Sequence, residues 1–139
     1  MTTVFLGGTC NNSTWRNELM ANLDKSKVEA FNPVVDDWNE EAQQNEIWHR
    51  NNDDLCLYVL TPEMTGFYSI AEVVDDSNKR PEKTLFCVLP IANGKEFDKS
   101  QMKGFLMMQK MVAENGATVL QDLGEVANHL NSYQKSVSL

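Results

Sequence analysis

Asp53-Asp54-Leu55-Cys56-Leu57-Tyr58-Val59-Leu60-Thr61-Pro62 runs into Glu63-Met64-Thr65-Gly66-Phe67-Tyr68 and then Ser69-Ile70-Ala71-Glu72-Val73-Val74. Two carboxylates precede an apolar run of strand length, which breaks at Thr61-Pro62. A short loop containing Gly66 leads to a helix whose first turn is expected to carry one acid, Glu72. A strand apolar throughout suits the centre of a parallel sheet covered on both faces. A buried strand that delivers a loop and then a helix N-terminus is how open α/β sheets build a ligand crevice.

Outward from this stretch, strands and helices alternate. Thr3 to Leu6 reads as a short buried strand ended by Gly7-Gly8, and Ser13 as the N-cap of a helix from Thr14 to about Leu23. Trp15, Leu19 and Leu23 form the core-facing stripe of that helix. Val28 to Phe31 is a second strand, stopped by Asn32-Pro33, and Asn39 to about Asn51 is a polar, weakly amphipathic helix. Beyond Glu72 the helix runs to about Asn78, with Ile70, Val73 and Val74 facing the core and Lys79-Arg80-Pro81 closing it. Thr84 to Leu89 is a fourth strand, Pro90 to Phe97 a loop, and Asp98 opens a long helix that stops at Asn115-Gly116. Ala117 to Leu120 makes a fifth strand, and a last helix, from about Asp122 to Tyr133, leads into a polar tail expected to fray.

Five such alternations with no linker, repeat or long structureless gap predict one domain over residues 1–139. The expected architecture is a three-layer α/β sandwich with a five-stranded parallel sheet in the flavodoxin-like order 2-1-3-4-5. Its crevice lies at the carboxyl ends of strands one, three and four. That position collects Gly7 to Thr14, Thr61 to Glu72 and Pro90 onward, with Asn32 to Trp38 beside them. On the long helix, Met102, Phe105, Leu106 and Val112 form one apolar stripe and Met107, Met108 and Met111 another. Two stripes fit either a deeply buried helix or a subunit interface.

The chain has 139 residues, 42% of them hydrophobic and 23% charged, with a formal net charge of -8. Its few basic residues are scattered, so nucleic acid polymers are not expected partners. No run approaches the roughly 18 apolar residues of a membrane span. The N-terminus lacks a signal-peptide pattern, and cysteines Cys10, Cys56 and Cys87 show no CxxC spacing, so a cytoplasmic protein with free thiols is expected.

Candidate chemistry centres on carboxylates. In a helix's first turn the macrodipole favours an ionised Glu72, suited to act as a nucleophile or to shield a cationic transition state; the alternative is a glutamate that only satisfies backbone donors. Asp36 and Asp37 face the predicted crevice, whereas Asp53 and Asp54 lie at the amino end of their strand. Asp75-Asp76 reads as a solvated helix face. No carboxylate spacing resembles a cation cage, so no metal is expected, and His49 and His129 make no hydrolytic triad. Gly7-Gly8 lets backbone approach a ligand but matches neither the dinucleotide-binding nor the P-loop pattern.

Val4-Phe5-Leu6-Gly7-Gly8 followed by Trp15-Arg16, Asn32-Pro33 with Asp36-Asp37-Trp38, then Trp48, Asp54 and Ser69-x-x-Glu72 together resemble the nucleoside 2-deoxyribosyltransferase-like proteins over roughly the first ninety residues. The resemblance implies that a glutamate attacks C1′ of a nucleoside, releases the base and forms a glycosyl–enzyme intermediate, which a second base or water resolves. It makes Glu72 the nucleophile and Ser69 a sugar-holding residue. Phe5, Gly7 and Gly8 would lie against sugar or base, and Asp36, Asp37 and Trp38 would bound the base side. Arg16 either holds the first loop or meets a phosphate. No cofactor is required, and a homo-oligomer is expected, since in the family a neighbouring subunit often completes the site.

One departure stands out. The family pattern Gly-Thr-x-x-Glu-x-Gly carries an Asp six residues before the Glu, where this chain has Gly66. Its absence favours hydrolysis, a different substrate or a lost activity over base exchange. Two readings outside catalysis stay open: a module that binds a nucleotide or nucleotide-sugar without turnover, and an interaction protein using the Met-rich helix.

Overall fold

The computed structural model describes residues 1–10 and 12–135; of the tail expected to fray after Tyr133, residues 136–139 lie outside the described residues. Strand β1 (Thr2–Gly8) is followed by α1 (Trp15–Ala21), β2 (Val28–Phe31) and α2 (Glu40–Asn52). Strand β3 (Leu55–Leu60), α3 (Tyr68–Lys79) and β4 (Thr84–Val88) form the middle of the chain. A hairpin of β5 (Ile91–Ala92) and β6 (Lys95–Glu96) precedes α4 (Lys99–Glu114), β7 (Thr118–Leu120) and α5 (Leu123–Ser132).

The main sheet has the order β2-β1-β3-β4-β7, all neighbours parallel. With the hairpin set aside, this is the expected flavodoxin-like order. Every residue of β3 is buried, so alternate side chains feed two separate cores. Leu55, Leu57 and Val59 pack with Trp15 and Leu19 of α1 and Leu130 of α5 on one face. Cys56, Tyr58 and Leu60 pack with Val73 of α3 and Phe105 and Val112 of α4 on the other. Each fully buried large apolar side chain contributes about 1.5–3 kcal/mol, so two cores sharing one strand fix the sheet firmly.

Helix α2 has no buried residue, and side-chain chemistry holds it instead. The His49 ring stacks on Phe31 of β2, with centroids 3.7 Å apart and planes 8° from parallel, and its Nδ1 pairs with Asp53 at 2.9 Å. Arg50 reaches down to Tyr58 and to Asp75 and Asp76 of α3. Polar docking explains why the sequence of this helix shows so little apolar periodicity.

Several expectations are corrected. Strand β1 continues through Gly7 and Gly8, which pair with Tyr58 and Val59. Ser13 does not cap α1; its hydroxyl donates to the carbonyls of Thr9 and Cys10, and Thr14 occupies the cap position. The segment after Pro90 is a hairpin turned by Asn93 and Gly94, both at positive φ, where Asn-Gly is a favoured two-residue turn. Asp76 is fully buried rather than solvated, because two arginines and a tyrosine hydroxyl surround it. On α4, Phe105 and Val112 are buried while Leu106, Met107 and Met111 are more than half exposed. The deeply buried alternative therefore fails, and Leu106 joins the outer stripe.

Strand β1 demands glycine at its end. Gly8 has φ 115°, and a Cβ there would stand 2.0 Å from the Val59 carbonyl oxygen. Gly8→Ala is expected to destabilise the fold by about 2 kcal/mol or more in urea unfolding, through combined overpacking and a disfavoured backbone. A loss below about 0.5 kcal/mol, the range of neutral surface changes, would contradict this packing.

Candidate active site

A cavity of about 440 Å³ opens at the carboxyl ends of β1 and β3. Gly7, Gly8, Thr9 and Cys10 form one wall, and Pro33, Val34, Val35 and Trp38 a second. Glu46 enters from α2, and Met64, Thr65 and Gly66 close the side towards α3, which contributes Tyr68, Ser69 and Glu72. The hairpin borders this region without lining it: Asn93 donates to Thr14 and Glu63 across the two flanking loops.

Gly7 makes the floor thin. A Cβ at Gly7 would stand 2.7 Å from the Tyr58 ring and 3.0 Å from the Phe5 ring. Phe5, 1% exposed, therefore supports the floor from below and does not line the cavity. Asp36 and Asp37 are exposed and also lie outside the lining, whereas Gly7, Gly8, Trp38 and Ser69 are part of it. Trp48 is exposed on the outer side of α2.

Arg16 is 5% exposed and serves the loop after β1. Its Nε donates to the Leu6 carbonyl at 3.0 Å, Nη1 to Thr9 at 2.7 Å and Nη2 to Gly8 at 3.3 Å. Trp15 Nε1 donates to the same Thr9 carbonyl at 2.8 Å. Three backbone carbonyls thus hold the guanidinium against the loop.

Glu72 does not stand in the first turn of α3, which begins at Tyr68 and has no acid there. At the fifth helical position the macrodipole no longer decides its charge. Burial does: Glu72 is 8% exposed, and desolvation pushes its carboxyl up to about 7. Arg50, with Nε 3.6 Å from Glu72 Oε2, opposes the shift, while Glu46 and Asp76 add to it. Among the described residues the Glu72 carboxylate accepts no hydrogen bond, and its one close partner is Arg50. An acid poised near neutrality in a cleft is a common mark of a reactive group.

Glu46 and Arg50 were not legible as site residues. Their helix reads as polar and only weakly amphipathic, and only the fold brings Arg50 against α3. Asp54 and the two buried cysteines belong to structure. At the amino end of β3, the Thr3 N–H donates to Asp54 at 2.8 Å and Lys135 pairs with it at 2.9 Å. Burial pushes the Cys56 and Cys87 thiols up to about 12, so neither is a nucleophile at neutral pH. Among the described residues no three His, Cys, Asp or Glu side chains gather as a metal site, and no helix is long and apolar enough to cross a membrane.

Comparison with known families places this geometry. The family described as nucleoside 2-deoxyribosyltransferase like matches residues 1–89, which include every residue lining the cavity. The chain belongs to that family. No curated protein matches it. Membership in the nucleoside 2-deoxyribosyltransferase-like family points to an enzyme of nucleoside glycosyl transfer with small nucleoside substrates.

The raised carboxyl has a consequence for stability. Because Glu72 holds its proton to about pH 7 when folded and to about 4.5 when unfolded, ionisation costs stability as pH rises through that window. Glu72→Gln removes the cost. Its Tm is expected to exceed the wild-type value at pH 8, with the gap closing towards pH 4.5; equal Tm differences at both pH values would contradict the burial argument.

Proposed function

We propose that the protein cleaves the N-glycosidic bond of a nucleoside through Glu72, passing the sugar to water or to a second base. The observation that carries the reading is the buried, unbonded Glu72 carboxylate in a cavity that also holds Ser69 and Glu46. One Glu72 oxygen forms a bond to C1′ as the C1′–N bond breaks, and the base departs with the bonding electron pair. The base takes its proton from solvent as it leaves. In the second half the Glu46 carboxylate takes a proton from the attacking water or incoming base, while the ester bond to Glu72 breaks. Ser69, one turn before Glu72, holds a sugar hydroxyl, and Trp38 with Tyr68 offers flat apolar surface to the base. This reading gives Phe5 a supporting role beneath the floor and leaves Asp36 and Asp37 at the rim.

The unphosphorylated nucleoside is the better substrate. Among the described residues Arg16 is the cation that lines the cavity, and backbone carbonyls occupy it, while two glutamates face the same space. A phosphate dianion would meet two glutamates and a guanidinium whose donors already serve the loop. Gly66 favours one rival, a module that binds a nucleoside-type ligand without turnover, because it leaves the loop before α3 without the family's second acid. Saturable binding with no free base would support that rival.

Incubation with a panel of nucleosides and 5′-monophosphates, with and without a second base, tests the proposal by chromatography of released or exchanged base. Nucleosides are expected to be favoured in kcat/KM by at least about tenfold over their monophosphates, a difference of about 1.4 kcal/mol. Glu72→Gln is expected to reduce release by about three orders of magnitude or more while leaving the fold intact. Since the nucleophile must be ionised, kcat/KM should rise with pH and level off above about 7. Undiminished release in Glu72→Gln would overturn the assignment.

A further inference from the structure

The acids of α3 that share a face with Glu72 all turn towards one cation on another helix. Asp75 and Asp76 follow Glu72 by three and four residues, so the three carboxylates stack along one side of α3. Arg50 of α2 meets all of them. Its Nη2 donates to Asp76 Oδ1 at 2.9 Å and to Asp75 Oδ2 at 3.3 Å, and its Nε donates to Asp76 Oδ2 at 3.2 Å. The same Nε faces Glu72 Oε2 at 3.6 Å, an ion pair too long for a hydrogen bond.

Arg50 is held from every side that packs on it. Its Nε also donates to the Tyr58 hydroxyl at 3.1 Å, and that hydroxyl donates to Asp76. Arg80, just beyond α3, donates to Asp76 as well, which leaves Asp76 fully enclosed between two guanidinium groups. The Tyr58 ring is in turn fixed beneath Gly7. Such a clamp leaves the guanidinium little freedom, so its position relative to Glu72 is set by the strand and not by solvent.

We propose that Arg50 is a positioning residue: anchored by Asp76, Asp75 and Tyr58, it holds the Glu72 carboxylate in place and keeps it ionisable inside a desolvated cavity. The inference rests on Glu72 being the reactive group of the proposed function, but its electrostatic content can be read separately. The groups facing Glu72 are Arg50 and Glu46 from α2 and Asp76 from its own helix, with Tyr58 of β3 behind Arg50 and the carbonyl-bound Arg16 among the cavity's lining. Among the described residues Arg50 is the one cation that acts directly on the carboxylate; both neighbouring acids act against its ionisation. Charge supplied from the neighbouring helix replaces what a helix N-terminus would otherwise provide.

The test titrates Glu72 directly, by NMR of protein labelled with carbon-13 at the glutamate side-chain carboxyl, the Glu72 signal being identified by its loss in Glu72→Gln. In Arg50→Gln the Glu72 midpoint should move at least about one pH unit above the wild-type value, the usual effect of removing an opposite charge within 4–6 Å. In Arg50→Lys, which keeps a cation against Asp76 and protects the fold, the midpoint should lie between the two. The acid limb of kcat against pH should move with each midpoint, with kcat falling more than KM changes; a merely structural role would lower activity without moving either. An unchanged Glu72 midpoint in Arg50→Lys and in any folded Arg50→Gln would overturn the inference. Shifted midpoints in a protein that releases no base from any nucleoside would uphold Arg50 as the group controlling Glu72 and defeat the glycosyl reading instead.

Discussion

The close parallel pairing of β1 with β3 at Gly7 and Gly8 is the constraint on which the rest depends. Gly8 lies so near the Val59 carbonyl that no side chain fits between the strands, and Gly7 lies directly over the Tyr58 ring. Backbone rather than side chain therefore forms the cavity floor. Tyr58, pinned from above, presents its hydroxyl to Asp76 and Arg50, and Arg50 faces Glu72. A steric requirement between two strands is thus transmitted through Tyr58, Asp76 and Arg50 to the carboxylate at the centre of the site.

Charge does for α2 what apolar burial does for the other helices. Buried ion pairs repay their desolvation only where geometry is good and the remaining donors and acceptors are satisfied. Asp76 meets that condition through Arg50, Arg80 and Tyr58, and the His49 stack on Phe31 supplies a second anchor. The arrangement commits a polar helix to one position, and that helix carries Glu46 and Arg50 to the cavity. A hydrophobic stripe would have docked α2 as well, but it would not have placed a fixed cation beside a desolvated acid.

Much of the architecture was legible because it rests on local signals. The apolar run Leu55–Leu60, the stops at Asn32-Pro33 and Thr61-Pro62, and the Asp98 and Gly116 ends of α4 gave the strand order and the crevice. The failures share a cause, which is dependence on partners distant in sequence. Asp76 reads as solvated until Arg50, 26 residues earlier, is placed against it. Arg16 reads as a possible phosphate ligand until the carbonyls of Leu6, Gly8 and Thr9 fold around it. Glu72 was expected to be ionised by a helix terminus, but α3 starts a turn too early for that, and burial dominates. The hairpin is different: Asn93-Gly94 is a local turn signal, flanked by strands of only two residues.

A covalent bond between Glu72 and the sugar is open to acid-quenched mass spectrometry of the protein mixed with a nucleoside. A mass increase of one pentosyl group is expected, mapped to the peptide containing Glu72 and absent from Glu72→Gln. Base released at the wild-type rate by Glu72→Gln, or a pentosyl group mapped to another residue, would contradict it.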